Sequence, residues 1–93
     1  MKKKEIKNFD NGVPFEELSL HNKPDDAWIS IERNVYDITD YIRRHPGGKI
    51  ILKYAGKEGT NAFNKHHHWV NHKYVLKERY IGRLNLIWIL FFI

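Results

Sequence analysis

Apolar and polar positions along this chain change period several times, and each change predicts an element. Residues 1–11 are charged and polar without periodicity, which predicts a frayed lead-in. The stretch 13–20 predicts a strand or turn running into a short helix over Pro14-Phe15-Glu16-Glu17-Leu18. His21 to Asp26 is rich in turn formers. Ala27-Trp28-Ile29-Ser30-Ile31 partly alternates and has strand propensity, and Val35-Tyr36-Asp37-Ile38 reads as the returning strand. Between them Glu32-Arg33-Asn34 predicts a tight reversal with Asn34 in the left-handed conformation. Thr39 or Asp37 is placed to cap a short helix carrying Tyr41-Ile42-Arg43-Arg44 toward His45.

Beyond His45 the pattern becomes helical. Pro46 disfavours helical geometry at the residue before it, and Gly47-Gly48 permits a sharp reversal. A helix is expected from Lys49 to about Tyr54, ended by Gly56. Thr60 opens another, with Ala62 and Phe63 on one side, and Val70 to Lys77 continues helical. Tyr80 to Leu84 predicts a closing strand. Strands at both ends of a helical middle give an α+β domain, a short mixed sheet with helices forming a pocket. Its expected bounds are 13–84, after a lead-in 1–12 and before a short apolar tail 85–93.

Composition narrows the chemistry. At 93 residues, with 42% hydrophobic and 14% aromatic positions, the chain is a single folded domain with a modest core. There is no cysteine, which excludes disulfides, thiolate zinc sites, iron–sulfur clusters and covalent haem attachment. The net charge of +5 comes from spread Lys and Arg without a helix-turn-helix or zinc-finger pattern, so nucleic acid is not an expected partner. The N-terminal lysines lead into Asn8-Phe9-Asp10 rather than an apolar run, so no secretory signal is read. The tail is apolar but shorter than the roughly 20 residues that cross a bilayer, leaving membrane association through it as an expectation.

The candidate chemistry lies in His45-Pro46-Gly47-Gly48 and, further on, Phe63 with His66-His67-His68. Imidazole is a usual axial ligand of haem iron, and two imidazoles from separate turns can clamp a flat porphyrin from both faces. The slot for such a disc needs apolar walls. Tyr41 and Ile42 before His45, Ile50, Ile51 and Leu52 after it, Phe63, and Ile31 and Ile38 from the strands are the candidates. Two axial imidazoles leave no open iron position, which favours electron transfer over catalysis at the metal. Alone, the histidine run also reads as a solvated stretch or an adventitious zinc site. Trp28 reads as core, and Asp25-Asp26 as turn chemistry.

At this level the sequence resembles a known family. Asp26-Ala27-Trp28-Ile29, Val35-Tyr36-Asp37-Ile38-Thr39, His45-Pro46-Gly47-Gly48, Ala55-Gly56 and Thr60-Asn61-Ala62-Phe63 resemble, in order, the cytochrome b5 haem-binding domain. His67-His68-Trp69-Val70-Asn71 and Ile81-Gly82-Arg83 are most like the cytochrome b5 domain of NADPH-dependent cytochrome b5 oxidoreductases. The resemblance implies a non-covalent haem b with His45 as one axial ligand. Spacing from Phe63 in the reductase type selects His67 as the other; the spacing of ordinary cytochrome b5 selects His68. Gly47, Ile31, Ile38, Tyr41, Ile50, Ile51 and Phe63 are the implied contacts, and His66 and His72 bystanders or propionate contacts. One departure is that the segment from Gly48 to Ala55-Gly56 is a residue shorter than usual.

The resemblance further implies a monomeric one-electron carrier rather than an enzyme. It would work between a flavin-dependent reductase and an oxidase, desaturase or hydroxylase, in the cytoplasm or at the cytoplasmic face of the endoplasmic reticulum membrane. The alternatives are a haem module or fragment of a longer reductase or desaturase chain, and a non-redox ligand-binding relative. Microsomal members of the resembled family are acidic around the haem edge, whereas here Arg43, Arg44 and Lys49 flank the expected loop, with Lys53, Lys57 and Lys65 nearby. That reversal implies an acidic partner face or packing against the haem propionates, the plain alternative being a solvated basic surface.

Overall fold

The computed structural model describes Phe9 and residues 11–85; of the expected tail 85–93 only Asn85 is described, as the end of the last strand, and most of the lead-in also lies outside the described residues. The strands are β1 (Val13–Pro14), β2 (Asn22–Lys23), β3 (Asp26–Ile31), β4 (Asn34–Asp37), β5 (Lys57–Glu58) and β6 (Tyr80–Asn85). The helices are α1 (Phe15–Leu20), α2 (Thr60–His67) and α3 (His72–Val75), with 3₁₀ segments at Ile42–Arg44, Gly48–Tyr54 and Lys77–Arg79. The sheet runs β1-β6-β4-β3-β2, with β5 also paired to β3. The β1–β6 and β3–β5 pairs are parallel and the others antiparallel, so the sheet is mixed and the fold α+β.

The alternation in β3 sorts its side chains into two cores. Ala27, Ile29 and Ile31 join Tyr36 and Ile38 on one side of the sheet, facing the helical middle. Trp28 joins Val13, Leu18, Val35 and Leu84 on the other. Both faces are covered, so Ala27 through Ile31 are all buried and the alternation in polarity is only partial. Trp28 is core as expected. His21 lies flat on its indole, ring centroids 3.6 Å apart, with its ring nitrogens 2.7 Å from Glu17 and 2.6 Å from Asp26.

Local predictions needed correction at three points. The left-handed residues of the β3–β4 turn are Glu32 (φ 50°) and Arg33 (φ 68°). Asn34 instead begins β4, buried and paired with Ile31. A two-residue hairpin loop needs positive φ at both central positions to match strand twist, so the register fixes which residues bear it. Secondly, Tyr41 immediately precedes the Ile42–Arg44 turn and gives it no side-chain cap, while Asp37 and Thr39 stand further upstream. The Asp37 carboxylate accepts from the Thr39 amide (3.0 Å) and hydroxyl (2.7 Å), while the Ala27 amide donates to Thr39 Oγ1 (3.0 Å). Thirdly, Gly48–Tyr54 is wound as a 3₁₀ helix. Rising about 2.0 Å per residue rather than 1.5 Å, a 3₁₀ segment covers the distance of a longer α-helix. This suits the missing residue in that segment.

The start of α2 is fastened to the sheet. The Gly59 amide donates to the Ser30 carbonyl (2.7 Å), and the Glu32 amide donates to Thr60 Oγ1 (2.7 Å). Glu58 accepts from the Thr60 amide (3.1 Å), the Thr60 hydroxyl and Ser30 Oγ (3.3 Å). A carboxylate at a helix N-terminus also complements the helix dipole. These bonds fix the direction in which α2 leaves the sheet, and so where its last turn lies. No helix among the described residues is long and apolar enough to cross a membrane.

Candidate functional site

Between the His45–Tyr54 segment and the α2–α3 segment lies a cavity of about 400 Å³. Its floor is the sheet face bearing Ile29, Ile31 and Ile38. Tyr41, His45, Pro46, Gly47, Ile50, Ile51 and Tyr54 form one wall. Ala62, Phe63, His66, His67 and Val70 form the other, and His72, Val75 and Leu76 close the end. Of the expected contacts and wall candidates, His68, Ile42 and Leu52 do not line this space; Ile42 belongs to the core cluster beneath it and Leu52 packs against that cluster.

His45 and His67 face each other across it, ring centroids 5.9 Å apart and planes at 79°. His45 Nδ1 lies 3.2 Å from the Gly48 carbonyl oxygen, which can only accept. Nδ1 therefore donates in that contact, which in the neutral ring leaves the lone pair on Nε2. The two glycines of the turn have separate jobs. A Cβ on Gly47 would lie 2.9 Å from His45 Cε1, so Gly47 leaves room for the ring. Gly48 has open space around it but sits at φ +63°, where glycine avoids the cost of a side chain.

Helical period sets the three histidines at different places relative to the cavity. His67 is four residues after Phe63 on the same face of α2, with ring centroids 5.6 Å apart. His66 also reaches the cavity lining. His68 follows the last residue of α2, is exposed, and turns its ring edge-on to Trp69, 5.0 Å away. One more residue of helical rotation carries it off the wall, which corrects its expected place among the contacts. Among the described residues no group of three or more His, Asp or Glu converges to hold a metal ion. A bare metal site commonly needs three or four protein ligands, whereas a porphyrin brings its own nitrogens and leaves two axial positions. Two imidazoles, each about 2 Å from a shared metal, have ring centroids about 6 Å apart. The residues present fit a haem.

His72, expected as a bystander or propionate contact, occupies a different place. It is buried at the end of the cavity, its ring edge-on to Phe63 at 5.2 Å. The Tyr36 hydroxyl donates to His72 Nδ1 (2.9 Å), and His72 Nε2–H donates to Glu32 Oε1 (2.8 Å). The hydrogen bond from His72 holds the Glu32 carboxyl below the ordinary carboxylate range, while burial pushes the Tyr36 phenol up. A carboxylate can only accept, so Nε2 carries the proton toward Glu32, and in the neutral ring Nδ1 accepts from Tyr36. Asn71 caps α3 by accepting from the Tyr74 amide (3.2 Å), which sets His72 inward. Of the other linings that sequence reading missed, Ile29 was signalled by its two-residue spacing from Ile31. Tyr54, Val70, Val75 and Leu76 had no such signal, because their place depends on how the helical segments pack.

Known proteins are similar to this chain in sequence and, where solved, in architecture. A cytochrome b5 reductase 4 from Xenopus tropicalis is 50% identical over 73 residues, 77% of this chain and 14% of that protein. An acyl-lipid (9-3)-desaturase from Physcomitrium patens is 41% identical over 69 residues, 74% of this chain and 13% of that protein. This chain therefore spans only a small part of these curated relatives. The solved cytochrome b5 of Ostreococcus tauri virus 2 superposes with a TM-score of 0.71 at 36% identity, covering 77% of this chain and 94% of that one. The family described as cytochrome b5-like haem/steroid binding domain matches residues 14–85. With the ordered motifs and the cavity they build, the chain belongs to that family.

Proposed function

We propose that this chain is an electron carrier that holds one non-covalent haem b between His45 and His67. The observation that carries this reading is the pair of facing imidazoles across an apolar cavity, at a separation suited to a shared iron. When bound, the haem supplies a one-electron couple. The protein's part is to hold and tune it. His45 is oriented by the Gly48 carbonyl, and His67 is carried by the last turn of the anchored α2. Ile29, Ile31, Ile38 and Phe63 exclude water from the disc. With His45 and His67 both holding the group, substrate would have no place at the metal, and the protein would act as a carrier rather than an enzyme. The reductase and desaturase among its relatives support a flavin-dependent reductase as electron donor and a desaturase, hydroxylase or other oxidase as acceptor.

Titration of haemin into the apo-protein tests the ligand set. Wild type and His68→Ala should both give a low-spin, six-coordinate spectrum. His45→Ala and His67→Ala should lose it. Loss in His68→Ala with retention in His67→Ala would transfer the role to His68, and absence of haem uptake by wild type would refute the function.

A further inference from the structure

Charge is distributed unevenly over the domain. From Tyr41 to Lys77, the segment that builds both cavity walls, there are eight Lys and Arg and one acid, Glu58. All eight cations are exposed, and among the described residues none of them forms an ion pair. Glu58 is engaged by Thr60 and Ser30 at the base of α2. In the remaining described residues the balance reverses, with four Lys and Arg against eight Asp and Glu.

The cations are also adjacent to the cavity in sequence. Arg43 and Arg44 precede His45, Lys49 precedes Ile50, Lys65 lies between Phe63 and His66, and Lys73 and Lys77 flank the Val75-Leu76 wall. Among them stand exposed apolar side chains: Ile50 is 62% accessible, Trp69 72% and Tyr74 67%. Exposed aromatics with arginine are the composition of a protein interface core and rim. A lipid-surface helix is a poorer description, because it presents an exposed apolar face, whereas the apolar residues of α2, Ala62 and Phe63, line the cavity.

We propose that the cavity mouth is a basic docking face for a redox protein with a carboxylate-rich surface. This rests on the electron-carrier reading above. The cations orient the encounter so that the partner meets the domain at the cavity, and the exposed aromatics complete the contact. The acidic remainder of the domain repels the same partner from unproductive orientations.

The test uses the full chain loaded with haemin and first checked for its low-spin spectrum, so failure of haem binding is seen separately. Stopped-flow rates are then measured with two probes, reduction by an acidic plant-type ferredoxin and oxidation by a basic c-type cytochrome. Between about 0.02 M and about 0.2 M ionic strength, the ferredoxin rate should fall by about tenfold or more, while the cytochrome rate should not fall. Arg43→Glu/Arg44→Glu/Lys49→Glu should reverse the salt dependence with ferredoxin, and Lys23→Glu/Arg83→Glu should leave its sign unchanged. Co-sedimentation with phosphatidylserine vesicles provides a readout independent of electron transfer. A salt-insensitive ferredoxin rate in wild type overturns the proposal. So does vesicle binding abolished by the triple reversal while the ferredoxin rate is unaffected, which would assign the face to a membrane.

Discussion

Glu32 joins three parts of the protein through one side chain. Its backbone forms the β3–β4 turn, its amide donates to Thr60 at the start of α2, and its carboxylate accepts from His72 at the cavity end. The His72 bond lowers its pKa from the ordinary 4.5. A carboxyl lowered on folding contributes stability that is complete above its unfolded pKa and is lost as pH falls through the folded value. Tyr36 behaves oppositely at the alkaline end. Its pKa is raised by burial from 10.0, so its contribution is lost as pH rises from there toward the folded value. Thermal unfolding of wild type and Glu32→Gln, compared between about pH 7 and about pH 3.5, should show the smaller acid-side loss in the variant. Equal losses in the two proteins would mean that the contact contributes nothing to stability. His72 was the least legible of these residues from sequence. Its partners lie 36 and 40 positions away, and only the folded arrangement reveals that the imidazole is structural.

At the scale of elements, β3, β4, α2 and β6 were legible because each carries a regular pattern long enough to show its period. β5 has two residues, and its place beside Ile29 and Ser30 follows from the return of the chain after Tyr54. The 3₁₀ form of Gly48–Tyr54 was also hidden, since a seven-residue segment with apolar side chains only at Ile50, Ile51, Leu52 and Tyr54 fits either winding. The choice of His67 over His68, by contrast, follows from the period of α2 once Phe63 is placed on the wall. The β3–β4 turn offers a direct test of its strain. Arg33 is exposed and sits at φ 68°, which costs a residue with a side chain about 1 kcal/mol or more. Arg33→Gly gives up a long hydrogen bond to the Leu84 carbonyl (3.4 Å) and adds freedom to the unfolded chain. Relief of the left-handed backbone should exceed both, leaving a net gain of about 0.5 kcal/mol. The melting temperature should then rise by roughly 2–4 °C. A fall would show that the Arg33 side chain matters more than its backbone conformation.

Across the whole molecule, the two faces of the sheet are unequally filled. The face with Val13, Leu18, Trp28, Val35 and Leu84 forms a packed cluster, whereas the other surrounds the cavity. Both walls depend on that space: neither Gly48–Tyr54 nor α2 has a fully buried residue. A haem bound only by the folded state should therefore stabilise the walls most, because they gain apolar partners they otherwise lack. At haemin about 100 times its dissociation constant the gain is about 2.7 kcal/mol. For a domain of this size that raises the melting temperature by roughly 10–20 °C. Amide hydrogen exchange should locate the gain, with protection increasing in Gly48–Tyr54 and α2 while β3 and β4 remain protected with or without haemin. In His45→Ala/His67→Ala most of the thermal shift should disappear, since apolar burial alone remains to hold the disc. If the double variant kept the full shift, the imidazoles would not be what couples the cofactor to the fold.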